Sequence, residues 1–111
     1  MRQAVIAAAL LLVTPLVSGA DAPNGPQARG KQLFTHRCGM CHREGGTGTF
    51  TLARRLGADQ SLLESRNNLQ PEYVRFVVRW GLVNMPRISR VELTDADLAD
   101  VVTYLTAPKA P

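Results

Sequence analysis

From Ala4 to Val17 the chain is an almost unbroken apolar run, interrupted only by Thr14 and Pro15. Beyond it the apolar positions are spaced, and the spacing is helical. Pro26 suits the first turn of a helix, and the segment to about Arg37 carries Ala28, Leu33 and Phe34. The stretch "REGGTGTF" from Arg43 to Phe50 is glycine-rich and reads as a loop. Asp59 is placed to cap a short helix from about Ser61 to Arg66. Pro71 opens another helix, with Val74, Val77 and Val78 as its apolar stripe and Gly81 as its stop. "GLVNMPRISR" (81–90) is a loop, since Gly81 and Pro86 both resist helix continuation. Thr94 and Asp97 then form a capping box, followed by Leu98, Val101, Val102 and Leu105 at i, i+3, i+4 and i+7. There is no internal repeat and no sustained period-two alternation. The expectation is one all-α domain over residues 21–107, with residues 108–111 as a disordered tail.

The first apolar run has a different character. Met1, Arg2 and Gln3 make a short basic opening, and Ser18 and Ala20 put small residues before a polar stretch. That order is the layout of a secretory signal, here residues 1–20, cleaved after Ala20. The run falls short of the roughly 20 apolar residues that a membrane span needs, which disfavours a retained anchor. The expected location is the periplasm.

Charge narrows the field further. The chain has 13 basic and 9 acidic side chains, a net of +4. The basic ones concentrate between Arg29 and Arg90, whereas Glu92, Asp95, Asp97 and Asp100 turn the last segment acidic. A basic body steers an acidic protein partner. Nucleic acid is disfavoured, because basic and aromatic residues are not interleaved and the address is secretory.

The chain's 2 cysteines stand in "CGMCH", Cys38 to His42. Four chemistries use such a cluster. Zinc needs about four ligands, and His36, two residues before Cys38, is the only other histidine. A thioredoxin-like thiol pair calls for a βαβ context that is missing. A plain disulfide would close a tiny loop, leaving His42 unexplained and a small core unsupported. Covalent haem accounts for all three residues: each thiol joins one vinyl group, and the next residue supplies an imidazole to the iron. Haem iron has a second face, and of the 3 methionines Met1 leaves with the signal and Met40 lies between the cysteines. Met85, stiffened by Pro86, is therefore the candidate distal ligand, against the plainer reading of a core gap-filler. Trp80 is a candidate donor to a haem propionate or an ordinary packing residue. Arg54, Arg55, Arg79 and Arg87 are candidates to neutralise propionates or to face a partner, and His36 reads as a solvent-facing helix residue.

These residues resemble the class I c-type cytochromes, over essentially the whole mature chain. The pattern is Gly30-x-x-x-Phe34-x-x-x-Cys38-x-x-Cys41-His42, then Met85-Pro86, then a final helix with Val101 and Tyr104. The resemblance implies a small fold of helices wrapped around one covalently attached haem c, with Cys38, Cys41, His42 and Met85 as cofactor-binding residues and His42 and Met85 on the metal. It implies that Gly30 lets the first and last helices cross closely, with Phe34 and Tyr104 packed there. "LQPEYVRFVVRWGLVNMP" and "LTDADLADVVTYL" look most like the cytochrome subunit of flavocytochromes of the p-cresol methylhydroxylase type. That implies an electron-transfer protein and not an enzyme in itself. It would accept electrons singly from a flavoprotein dehydrogenase subunit and pass them to a soluble copper protein, cytochrome or oxidase. The alternative is a haem enzyme or gas sensor in which Met85 dissociates. One departure from the family stands out: Gly48-Thr49-Phe50 occupies the region where members carry a proline whose carbonyl accepts the N–H of the proximal histidine.

Overall fold

The computed structural model describes residues 23–110; the expected signal segment, residues 1–20, lies outside them. Five α-helices follow in order: α1 (Pro26–Arg37), α2 (Gly39–His42), α3 (Thr47–Leu56), α4 (Pro71–Trp80) and α5 (Asp95–Thr106). Two 3₁₀ turns, Ala58–Gln60 and Leu63–Ser65, join α3 to α4. No strand occurs among the described residues, only an isolated antiparallel bridge between Leu82 and Met85. Among the described residues the fold is all-α, as expected.

The ends of α1, α4 and α5 fall where the sequence chemistry puts them. Proline sits in the first turn of both α1 and α4. Gly81, at φ 76°, ends α4 in a conformation that costs an L-residue strain. At α5 the Thr94 side chain accepts the Asp97 N–H at 3.1 Å. The Asp97 carboxylate faces back to Thr94 and also accepts from Arg29.

Two expectations need correction. The glycine-rich segment after the cysteine motif is helical from Thr47, as the start of α3. The helix expected from Ser61 to Arg66 is replaced by the two 3₁₀ turns, with Asp59 inside the first and making no side-chain cap. In α3 the intrinsic handicap of Gly48 is outweighed by tertiary contacts described below. Between α3 and α4 the chain is too short of apolar spacing to sustain a full helix.

The core is built by α5 against α1 and α4. Phe34, Leu69, Val74, Val78, Leu93, Leu98, Val101, Val102 and Leu105 form one buried cluster. All four apolar positions of the α5 stripe lie in it. α1 and α5 cross at Gly30, where an added Cβ would fall onto the Asp100 carbonyl, 2.6 Å from its carbon and 2.8 Å from Tyr104 Cβ. Glycine is required there because backbone meets backbone. Phe34, fully buried, tilts against Tyr104 with ring centroids 6.0 Å apart. Arg29 pairs with Asp97 at 2.5 Å and Asp100 at 3.2 Å across the edge of the crossing.

Candidate functional site

Cys38, Cys41 and His42 occupy one helical turn. Cys38 breaks the helix after α1, and its carbonyl accepts the N–H groups of Cys41 (3.1 Å) and His42 (2.9 Å). Cys38 is half-buried against the core and Cys41 is exposed. Burial, followed by repulsion from Cys41, pushes the Cys38 thiol up to about 11. A redox-active thiol is held as thiolate by positive surroundings; Cys38 is pushed the other way. Among the described residues no three His, Cys, Asp or Glu side chains cluster as a metal site. Both observations weigh against the zinc and thiol-redox alternatives.

Burial lowers the pKa of His42, so its imidazole is neutral near pH 7, as a metal ligand must be. The segment after it is tied back tightly. The buried Thr49 hydroxyl donates to the Arg43 carbonyl at 2.8 Å, and the Gly46 N–H donates to the same carbonyl at 2.9 Å. This brings Gly48 against the imidazole: an added Cβ would lie 2.8 Å from the Cys41 carbonyl oxygen and 3.0 Å from His42 Cε1. The glycine that spoils the helical pattern is thus the residue that lets α3 approach the histidine. His42 Nδ1 is buried and has no hydrogen-bond partner, so the carbonyl that the missing proline would supply is not replaced by a neighbour.

Met85 is carried by a short loop. Leu82 and Met85 exchange both backbone hydrogen bonds, 3.1 and 2.9 Å, around Val83 and Asn84. Val83 has φ 54°, a rare conformation for a β-branched residue. Met85 is half-buried and packs against the same core cluster as Cys38. Beyond Pro86, the Ile88 N–H donates to the Val78 carbonyl at 2.8 Å and closes the loop onto α4. The donor set suits haem c: two thiols on one helical turn, an imidazole beside them, and a thioether on a separate loop.

Of the other candidates, Trp80 is 72% exposed and His36 is exposed. Arg54 lies over the Phe50 ring, 5.8 Å from its centroid. Arg79 is not a surface charge: its guanidinium bonds the carbonyls of Ile88 (3.0 Å), Ser89 (3.3 Å) and Leu93 (2.9 Å) and the Asp95 carboxylate (2.9 Å). Sequence reasoning also missed a cluster around Tyr104 of α5. There the Tyr104 hydroxyl donates to Glu64, Arg43 stands 3.9 Å from Glu64, and the Lys109 ammonium lies over the Tyr104 ring. No linear signal marks these pairs, which join residues up to 40 positions apart.

Comparisons with known proteins agree with this geometry. The family model described as cytochrome c oxidase, cbb3-type, subunit III matches residues 25–105. One chain of the crystal structure of p-cresol methylhydroxylase with substrate bound superposes with a TM-score of 0.53 at 28% identity, covering 78% of this chain and 100% of that one. A search of curated protein sequences gives no match. The family model runs from the start of α1 to the last buried leucine of α5, and the chain therefore belongs to the cbb3-type subunit III cytochrome family: it is a class I c-type cytochrome domain, a haem protein of electron transfer.

Proposed function

We propose that the protein is a periplasmic carrier of single electrons holding one haem c, attached through thioether bonds to Cys38 and Cys41 and ligated by His42 and Met85. The observation that carries this reading is the pairing of one helical turn bearing both thiols and a neutral imidazole with a thioether held in a closed loop. Bound haem supplies reversible one-electron chemistry between ferrous and ferric iron. The chain's own residues do the rest. The two thiols would anchor the group, and His42 and Met85 would be the iron's two protein ligands, a ligand set suited to electron transfer.

The 28% identity to a chain of p-cresol methylhydroxylase supports a flavoprotein dehydrogenase subunit as electron donor. The basic side chains between Arg29 and Arg90 other than Arg79 support an acidic docking face on the partner. A soluble copper protein, a cytochrome or an oxidase would take the electron onward. The export layout of residues 1–20 supports the periplasm.

Expression in a host that matures c-type cytochromes tests the site. Haem retained after alkaline pyridine treatment and acid–acetone extraction is expected, and its loss would refute covalent attachment. The oxidised protein is expected to show the far-red charge-transfer band of Met–Fe(III), abolished in Met85→Ala. An unchanged spectrum in that variant refutes the ligand assignment. Rapid carbon monoxide binding by the untreated reduced protein would favour the enzyme or sensor reading instead. A flavin-containing chain co-purifying from the native host is the expected sign of the donor.

A further inference from the structure

Arg79 is set apart from the other arginines in ion pairs. Its side chain is 12% exposed, against 55% for Arg29, 56% for Arg43 and 72% for Arg90. Its acceptors, apart from Asp95, are backbone carbonyls, and all of them lie on the segment that follows Met85 and Pro86. With the bond from Ile88 to Val78, Arg79 fastens the outgoing end of the Met85 loop to the last turn of α4. The incoming end is fixed by Gly81. The loop has a reason to open: Val83 sits in the left-handed region, and such conformations persist only where the surroundings impose them. Leu82 and Met85 supply the loop's own two bonds, and Arg79 supplies the surroundings.

We propose that Arg79 is a positioning residue for the distal ligand, holding the Met85 loop closed so that the thioether stays on the haem in the oxidised protein. The proposal rests on the reading of Met85 as that ligand. The oxidised state is the demanding one, because a soft thioether suits ferrous iron better than the harder ferric ion. The fork of the guanidinium is essential. It reaches carbonyls five residues apart, Ile88 and Leu93, at once, whereas a lysine ammonium is a single point charge on a flexible stem. Asp95 also accepts from Arg90 at 2.8 Å, so the start of α5 is held by both arginines.

The test uses the ferric holo-protein with imidazole as the probe. Imidazole binds only where Met85 has left, so its apparent affinity tracks the open fraction of the loop. Arg79→Lys is expected to tighten imidazole binding at least tenfold, the loss of about one charge-assisted hydrogen bond. Arg90→Ala, which removes an exposed pair alone, is expected to change it less than threefold. Amide exchange at Ile88 should accelerate in Arg79→Lys while Val101 and Val102 in α5 stay as in the wild type. Wild-type imidazole affinity in Arg79→Lys overturns the proposal, and so does equal acceleration at Ile88 and throughout α5, which would make Arg79 a general stabiliser. Should Arg79→Lys fail to assemble, Asp95→Ala removes one acceptor of the guanidinium. It is expected to tighten imidazole binding two- to fivefold, and no change there overturns the proposal. Met85→Ala separates the two levels. If it neither removes the far-red band nor tightens imidazole binding, the ligand reading falls and this proposal with it. If it does both while Arg79→Lys behaves as wild type, only the proposal falls.

Discussion

Replacing Gly30 by alanine tests the crossing of α1 and α5 most directly. The new methyl group would lie 2.6 Å from the Asp100 carbonyl carbon and 2.8 Å from Tyr104 Cβ. Both are fixed by helix backbone, so no side-chain rotation relieves the clash. Restoring ordinary carbon contacts near 3.5–4.0 Å requires the helices to part by roughly 1 Å. A gap of that width forfeits a quarter to a half of the dispersion well for every pair across it. Phe34 and Val101, 0% and 1% exposed, lose most; with about 1.5–3 kcal/mol for each buried side chain, the loss is about 2 kcal/mol, and residual overpacking adds a further 1 kcal/mol or so. Alanine's better helix propensity returns at most about 1 kcal/mol. The net destabilisation is about 2 kcal/mol, which for a domain of this size lowers Tm by roughly 10 °C. Thermal unfolding of the ferric holo-protein, followed by far-UV circular dichroism, measures it. A variant as stable as the wild type, or more so, would refute the close backbone approach.

Three further outcomes are expected. Thr94→Ala removes the acceptor of the Asp97 N–H at the start of α5 and should lower stability by about 1 kcal/mol, seen as a reduced denaturant midpoint with an unchanged slope. Val83→Gly relieves a β-branched residue at φ 54° and should raise stability by about 0.5–1 kcal/mol in the same assay; a lower midpoint would contradict the strain argument. The Tyr104 phenol is pushed up to about 12, first by burial and then by its bond to Glu64. Because the folded state favours the protonated phenol, this contribution is complete below about pH 10 and is lost as pH rises towards 12. Ring-carbon NMR, assigned with Tyr104→Phe, should show late ionisation, and Glu64→Gln should bring it earlier.

The parts of the fold that chain-local chemistry decides were legible in the sequence. Pro26 and Pro71 start helices, Gly81 stops one, and the period of Leu98, Val101, Val102 and Leu105 marks the buried face of α5. The cysteine motif was legible because its chemistry needs neighbours in sequence. α3 was hidden for the opposite reason. Gly48 and its flanking threonines argue locally for a loop, and only the fit of Gly48 against His42 and the bond from Thr49 to Arg43 explain a helix there. Arg79 was read as one surface charge among several, because its carbonyl partners, 9 to 14 positions away, leave no trace in a pattern of polar and apolar residues. Glu64 and Tyr104 meet only through the folded chain.

The crossing at Gly30 also has a consequence in time. The Arg29–Asp97 bond that borders it spans 68 positions, so the two helices find one another only after a long loop has closed, which is a slow kind of contact. A growing chain emits α1 and the cysteine motif well before α5 exists, and until then Phe34 has nothing to cover it. Throughout that interval Cys38, Cys41 and His42 belong to an open, solvated strand. Their modification can therefore precede the burial that the finished protein imposes on Cys38 and His42.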